Sequence, residues 1–200
     1  MDFRELNQIR RSHRSYLPGR PVSRELLEKL LGEASLAPSS FNQQGWEIIA
    51  VTSQAEKERM YREGCPQPQV LSSGAMLIVC GNLEQYKNLP GIVQNTATMD
   101  ENTRKGIVQD AAQTYANNPA LARDEAIRSA TLFAMAFMYA ATNAGLGCGP
   151  MIGFDSEKIC KAFEIKPPIF PVMMISLGEV KDPPFARGYR RPVGAFTRFI

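Results

Sequence analysis

The chain has 200 residues, 44% of them apolar and 22% charged, with a formal net charge of +3. That length and balance suit one soluble globular domain spanning residues 1–200 with a core of its own, and they exclude a charge-driven binder of nucleic acid. The single histidine, His13, and four cysteines with no C-x-x-C pair argue against a zinc site and against a Cys–His nucleophile.

Phe3, Leu6 and Ile9 recur at three-residue steps and predict a first helix over 3–11. It ends near Arg10-Arg11-Ser12-His13-Arg14. Pro18-Gly19 and Pro21 form a loop. Ser23 is an N-cap for a second helix with Leu26, Leu27, Leu30 and Leu31 on one face, which must stop before Pro38. Trp46 to Thr52 reads as a strand, with Trp46 in its core. Residues 54–62 form a charged surface helix broken by Pro66 and Pro68. Ala75 to Cys80 is a fully buried second strand, and Cys80 a reduced buried thiol.

Residues 84–122 give the weakest pattern: polar stretches, a helix near 101–116, and a turn at Asn117-Asn118-Pro119. A long helix over 123–144 follows. Its stretch Leu132 to Ala141 is apolar on nearly every side, but ten residues fall short of the roughly 20 a membrane span needs. Gly145 and Gly147 end it. Asp155 caps a short helix to Phe163, and Val172 to Leu177 is a third strand. The order implies an α/β layer with few strands and many helices. The apolar end, Gly194 to Ile200, needs a surface to dock on, such as a partner subunit. The charged, helical N-terminus MDFRELNQ is unlike a secretory signal, and with the unpaired cysteines it points to a reducing, cytoplasmic setting and no membrane.

Three segments carry chemistry. Arg10, Arg11, Ser12 and Arg14 form a dense anion site, since arginine binds phosphate with two parallel bonds and serine adds a hydroxyl donor. Taken alone, this run also reads as a solvated basic helix end. A second basic group, Arg187, Arg190, Arg191 and Arg198, lies near the other end; should the ends meet, they make one anion site on a nearly neutral protein. Ala37 to Trp46 (APSSFNQQGW) packs hydrogen-bonding side chains where a polar turn is the plain alternative. Gly145 to Asp155 (GLGCGPMIGFD) lets backbone approach a planar ligand, or simply stops a helix; it lacks the dinucleotide-fingerprint spacing. Together they suggest a phosphorylated aromatic cofactor with polar edges.

In that order, with a long apolar helix before the third block, these segments resemble the FMN-dependent nitroreductase family over essentially the whole chain. The resemblance implies an α+β fold, a few-stranded central sheet flanked by helices around a long buried helix, in a domain-exchanged homodimer. It implies FMN at the subunit interface and NADH or NADPH as donor. Nitroaromatic, quinone or related small-molecule acceptors would be reduced in a ping-pong cycle. Flavin fragmentation, reductive dehalogenation or non-enzymatic flavin binding are the alternatives on the same fold.

Residue by residue, Arg10, with Arg11 beside it, and Ser12 match positions holding the phosphate and ribityl chain. Arg14 matches one near the flavin N1 and O2 edge, where it would stabilise reduced flavin; no side-chain acid or base is implied. Pro38, Ser39, Ser40 and Asn42 match the loop that packs on the flavin from the partner subunit. Pro150, Met151, Ile152 and Gly153 match the strip against the ring, where a backbone N–H faces N5. Arg190 matches the terminal phosphate arginine, with Arg187 and Arg191 as further candidates. Three positions depart from the family pattern. Gly45 stands where proline is frequent and should affect only the turn. Ile152 replaces a glutamate found in some members. Pro66-Gln67-Pro68-Gln69 lies where many members place asparagine and lysine on the flavin's pyrimidine edge, which assigns Gln69, or else Gln67, to that edge.

Overall fold

Ala75–Asn82 is buried at every residue, and a strand apolar on both faces needs cover on both sides. The structure, a computed structural model describing residues 2–200, supplies it. Four strands form one sheet: β1 (Trp46–Val51), β2 (Ala75–Asn82), β3 (Gly147–Met151) and β4 (Ile169–Gly178), in the order β1-β2-β4-β3. Each neighbouring pair is antiparallel, so the fold is α+β rather than the α/β layer that the element order suggests.

Among the described residues, eight α-helices surround the sheet: α1 (Phe3–Ile9), α2 (Arg24–Ala34), α3 (Gln54–Glu63), α4 (Pro68–Ser72), α5 (Leu89–Gln94), α6 (Glu101–Tyr115), α7 (Pro119–Asn143) and α8 (Ser156–Ala162). Alternation along the strands sends side chains to opposite faces. Leu77, Val79, Ile175 and Leu177 pack with Leu27 and Leu30 of α2 and Phe133 and Phe137 of α7. Met76, Ile78, Cys80 and Met174 pack with Met60 of α3, Val70 of α4 and Ile159 of α8. Trp46 lies in the first cluster, its ring centroid 5.2 Å from that of Phe133. Leu89, Ala111, Tyr115 and Ala122 form a separate small core that binds α5 and α6 to the start of α7.

Several boundaries differ from the sequence reading. The first helix stops at Ile9, and β1 stops at Val51. Pro68 opens α4 rather than breaking structure, because a first-turn proline loses no intrahelical bond. For the same reason Pro119 begins α7, with the Asn118 side chain accepting from Leu121 N–H, four residues before the expected start at 123. α7 buries Phe133, Ala134, Phe137 and Ala141 against the sheet but leaves Leu132 46% exposed, so it is not apolar cover on every side.

The main correction is β3. Gly145 ends α7 at φ +81°, but Gly147 starts a strand. Gly-Cys-Gly-Pro-Met has no β-branched residue; pairing with β4 from Gly147↔Gly178 to Met151↔Met174 makes it one. β4 begins at Ile169 and carries Pro171 at a bulge between Val79 and Cys80, where a ladder donor is dispensable.

All four cysteines are free thiols, and Cys65, Cys80 and Cys148 are buried. Burial pushes the Cys65 thiol up to about 11 and the Cys80 and Cys148 thiols up to about 12. Among the described residues, no helix is long and apolar enough to cross a membrane.

Gly149 shows how tightly the N-terminal segment is laid on β3. A Cβ there would sit 2.3 Å from the His13 carbonyl oxygen and 2.5 Å from Ser176 Oγ. Gly149→Ala is therefore expected to lower stability by about 1–3 kcal/mol in urea unfolding; an unchanged midpoint would show that the two backbones are not held together.

Candidate functional site

After α1 the chain does not turn away but lies along the edge of the sheet. Ser12 bridges Cys148 of β3 in parallel, and His13 N–H donates to Cys148 O at 2.8 Å. Tyr16 bridges Val180, and Leu17 N–H donates to Glu179 O at 2.9 Å. The Tyr16 hydroxyl, buried in the sheet, lies 2.7 Å from Ser176 Oγ. This pairing leaves Ser12 and Arg14 exposed and Arg10, Arg11 and His13 half-buried.

The C-terminal tail folds back over this segment. One Arg187 amino group donates to the carbonyls of Asn7 (3.2 Å), Gln8 (2.7 Å) and Arg10 (3.1 Å), which cap the C-terminal end of α1. Arg11 donates to the Phe185 carbonyl, and the Arg14 guanidinium lies 5.9 Å from the Phe185 ring centroid. The result is a cleft of about 210 Å³ lined by Arg10, Arg11, Ser12, Arg14, Phe185, Ala186, Arg187, Gly188 and Arg190. Five arginines and no carboxylate share that wall. Arg10 Nε is buried there without an intramolecular acceptor. The two basic ends thus meet, as their clustering suggests. Arg191 is spent elsewhere, 5.7 Å from the Phe196 ring centroid.

Pro150 and Met151 end β3 and Ile152 and Gly153 follow it, with Ile152 77% exposed; none of the four lines the arginine cleft, and Ile152 and Gly153 instead face Gly64 and Pro66. Gln67 Nε2 donates to Gly153 O at 2.7 Å, and Gln69 Nε2 donates to Gln67 Oε1 at 2.7 Å. Gln69 is therefore buried against its neighbour, and Gln67 is the glutamine that reaches the strip. The sequence offers the pair but not this division of labour.

Pro38, Ser39, Ser40 and Asn42 do not join the arginine cleft. They precede β1, at the opposite edge of the sheet from β3. Three strand spacings separate those edges, roughly 14 Å. The loop is held in unusual backbone geometry: Phe41, Asn42 and Gln44 have φ of 52°, 57° and 51°. Left-handed non-glycine residues are costly and persist only when surroundings impose them. Here Ser39 Oγ accepts from Gln44 N–H, Gln43 Nε2 donates to Ser40 O, and Asn88 Nδ2 donates to Gln43 O. Ser40 Oγ also lies 2.8 Å from the Tyr115 hydroxyl of α6. Asn88 and Tyr115 are supports of this loop that the sequence does not single out, because the residues they hold lie 45 and 75 positions away. Gly45, expected to matter only for the turn, is packed against Gln85, whose Oε1 would sit 1.8 Å from any Cβ.

Two outcomes follow from this geometry. Arg187→Ala should free the tail, raising deuterium uptake over residues 185–200 and lowering stability by about 1 kcal/mol; unchanged uptake would show that the clasp is idle. Burial, then the charges of Arg11 and Arg10, holds His13 below its ordinary value of 6.5. His13 then binds fewer protons folded than unfolded, so its stabilisation is complete above about pH 6.5 and is lost as pH falls toward the lowered folded value. His13→Asn should flatten the loss of urea stability just below about pH 6.5; equal slopes would remove His13 as its source.

The chain matches the Nitroreductase family over residues 8–179. It is 35% identical to MhqN of Bacillus subtilis (strain 168), which carries a provisional NAD(P)H nitroreductase name, across 100% of this chain and 99% of that protein. The crystal structure of ydfN from B. subtilis, provisionally named a nitroreductase, superposes at TM-score 0.93 with 35% identity, covering 99% of this chain and 98% of that one. A similarly named protein from Exiguobacterium sibiricum, solved in complex with FMN, superposes at TM-score 0.91 with 27% identity, covering 100% and 98%. With its antiparallel four-stranded sheet and flanking helices, the chain belongs to the Nitroreductase family.

Proposed function

We propose that the chain is a homodimeric oxidoreductase that holds FMN, takes hydride from NADH or NADPH, and reduces nitroaromatic, quinone or related acceptors in a ping-pong cycle. The observation that carries this reading is the cleft wall of five arginines without a carboxylate. On a protein of net charge +3, that much like charge in one place suits an anionic ligand. The buried, unpartnered Arg10 Nε fits an anionic oxygen, and the exposed Ser12 fits a phosphoester or ribityl hydroxyl.

When bound, FMN supplies the alternation between hydride acceptance and electron delivery, the chemistry no side chain here can perform. Arg10, Arg11, Ser12 and Arg190 would hold the phosphate and ribityl chain. Arg187 shapes their wall by clasping α1. Arg14 would stabilise the negative charge that reduced flavin carries, and the backbone of Pro150 to Gly153 would serve the ring. No side-chain acid or base takes part, in keeping with a single histidine, His13, that does not line the cleft.

A second copy supplies Pro38, Ser39, Ser40 and Asn42. Two facts support that assignment. These residues lie at the opposite sheet edge from the arginine cleft and do not line it. The tail also exposes Phe185, Tyr189, Val193, Phe196, Phe199 and Ile200, apolar area that a partner would cover, as in an exchanged arrangement. Free, largely buried cysteines suit a reducing cytoplasm.

The test is spectroscopic. Purified protein should be a yellow dimer that bleaches anaerobically with NADH or NADPH and recovers colour with a nitroaromatic or quinone. Arg14→Ala should keep FMN, lower its reduction potential and bleach about tenfold more slowly. Colourless monomer after incubation with FMN would overturn the proposal, and an unchanged potential would remove Arg14's role.

A further inference from the structure

The turn that leaves β3 is held by three bonds. Phe154 N–H donates to Ile152 O at 3.0 Å, Asp155 N–H donates to Gly64 O at 2.8 Å, and Gln67 Nε2 donates to Gly153 O at 2.7 Å. The first two are backbone bonds, which any sequence could make. The third comes from a side chain whose own amide is oriented by another: Gln69 Nε2 donates to Gln67 Oε1, and Gln69 is only 8% exposed. A glutamine amide in solution rotates freely. Here its oxygen is engaged by a buried donor, which leaves its nitrogen aimed at Gly153.

We infer that Gln69, Gln67 and the Gly153 carbonyl form a relay that fixes the Ile152–Gly153 backbone, making Gln67 a positioning residue for the strip along the flavin. This rests on the proposed function and deepens it. Consecutive amides polarise one another, so each bond in such a chain is stronger than it would be alone. Gln67-Pro68-Gln69 is suited to the purpose. Pro68 opens α4 with a fixed φ, which sets Gln67 as the helix cap and Gln69 one residue into the first turn. The buried Val70 beside Gln69 locks that turn into the core that also contains Met151. The relay therefore ties the orientation of the strip to the packing of α4 rather than to an exposed loop. The phosphate cleft is untouched by it, because neither glutamine lines that wall.

Holding a backbone donor within a few tenths of an ångström affects the reacting centre more than the affinity for the whole cofactor. Gln67→Leu should raise deuterium uptake across residues 152–155 in the apoprotein. It should leave the FMN Kd within about threefold of the parent, lower the flavin midpoint potential, and slow bleaching by NAD(P)H about tenfold. Gln69→Leu, which spares the direct bond, should shift uptake, potential and bleaching rate the same way but less, again with FMN affinity near the parent's. Unchanged uptake in both variants overturns the relay, whatever the flavin chemistry. Raised uptake with parental potential and bleaching rate overturns the positioning role, as does an FMN affinity that falls in step with the rate. A parent protein that binds FMN and never bleaches overturns the proposed function instead, and the exchange result still decides the relay.

Discussion

His13 N–H to Cys148 O and Leu17 N–H to Glu179 O are ordinary backbone bonds, yet they hold a stretch without regular secondary structure against the edge of the sheet. Without them the arginines after α1 would sit on a mobile coil, and ordering them around a ligand would cost conformational entropy at each binding event. With them, that entropy is lost once, on folding. The buried Tyr16 hydroxyl, shared between the His13 carbonyl and Ser176, reinforces the same seam. Gly149 is the sequence feature that lets the two backbones approach so closely.

Placing five guanidinium groups on one wall creates repulsion that the fold must carry. The structure offsets part of it with neutral partners. Phe185 offers its ring to Arg14 and its carbonyl to Arg11, while three carbonyls from the end of α1 surround Arg187. None of these cancels a charge, so the cleft keeps its potential for an anion and gains stability when one binds. At the opposite sheet edge the loop before β1 stores a different kind of cost, three left-handed residues held by Ser39, Gln43, Asn88 and Tyr115. The helices of residues 84–122 thus act on a loop that precedes them by some 45 to 75 positions.

Local pattern made much of this legible. Apolar periodicity marks α2 and the body of α7, and the unbroken run in β2 announces a strand covered on both faces. Clustering of basic residues at the two ends points to an anion site. What sequence could not show is what depends on distant pairing. β3 is a strand only because β4 and the Ser12 segment flank it; by composition Gly-Cys-Gly-Pro-Met reads as a turn. α5 is a single short turn-and-a-half whose apolar residues have meaning only against α6 and Tyr115. The glutamines of the third segment look interchangeable until the burial of Gln69 and the reach of Gln67 separate them.

The cysteines bear on the company such a protein keeps. Quinones and partly reduced nitro compounds are electrophiles, and they arylate whatever nearby sulfur is ionised. Sulfur attacks as the thiolate, and burial has lifted Cys65, Cys80 and Cys148 to about 11 or 12, far from ionisation in a neutral cell. Close-packed walls also deny a reactive acceptor any route to them. On the function proposed above, the chain is thereby shielded from electrophilic acceptors, with half-buried Cys160 its most accessible thiol.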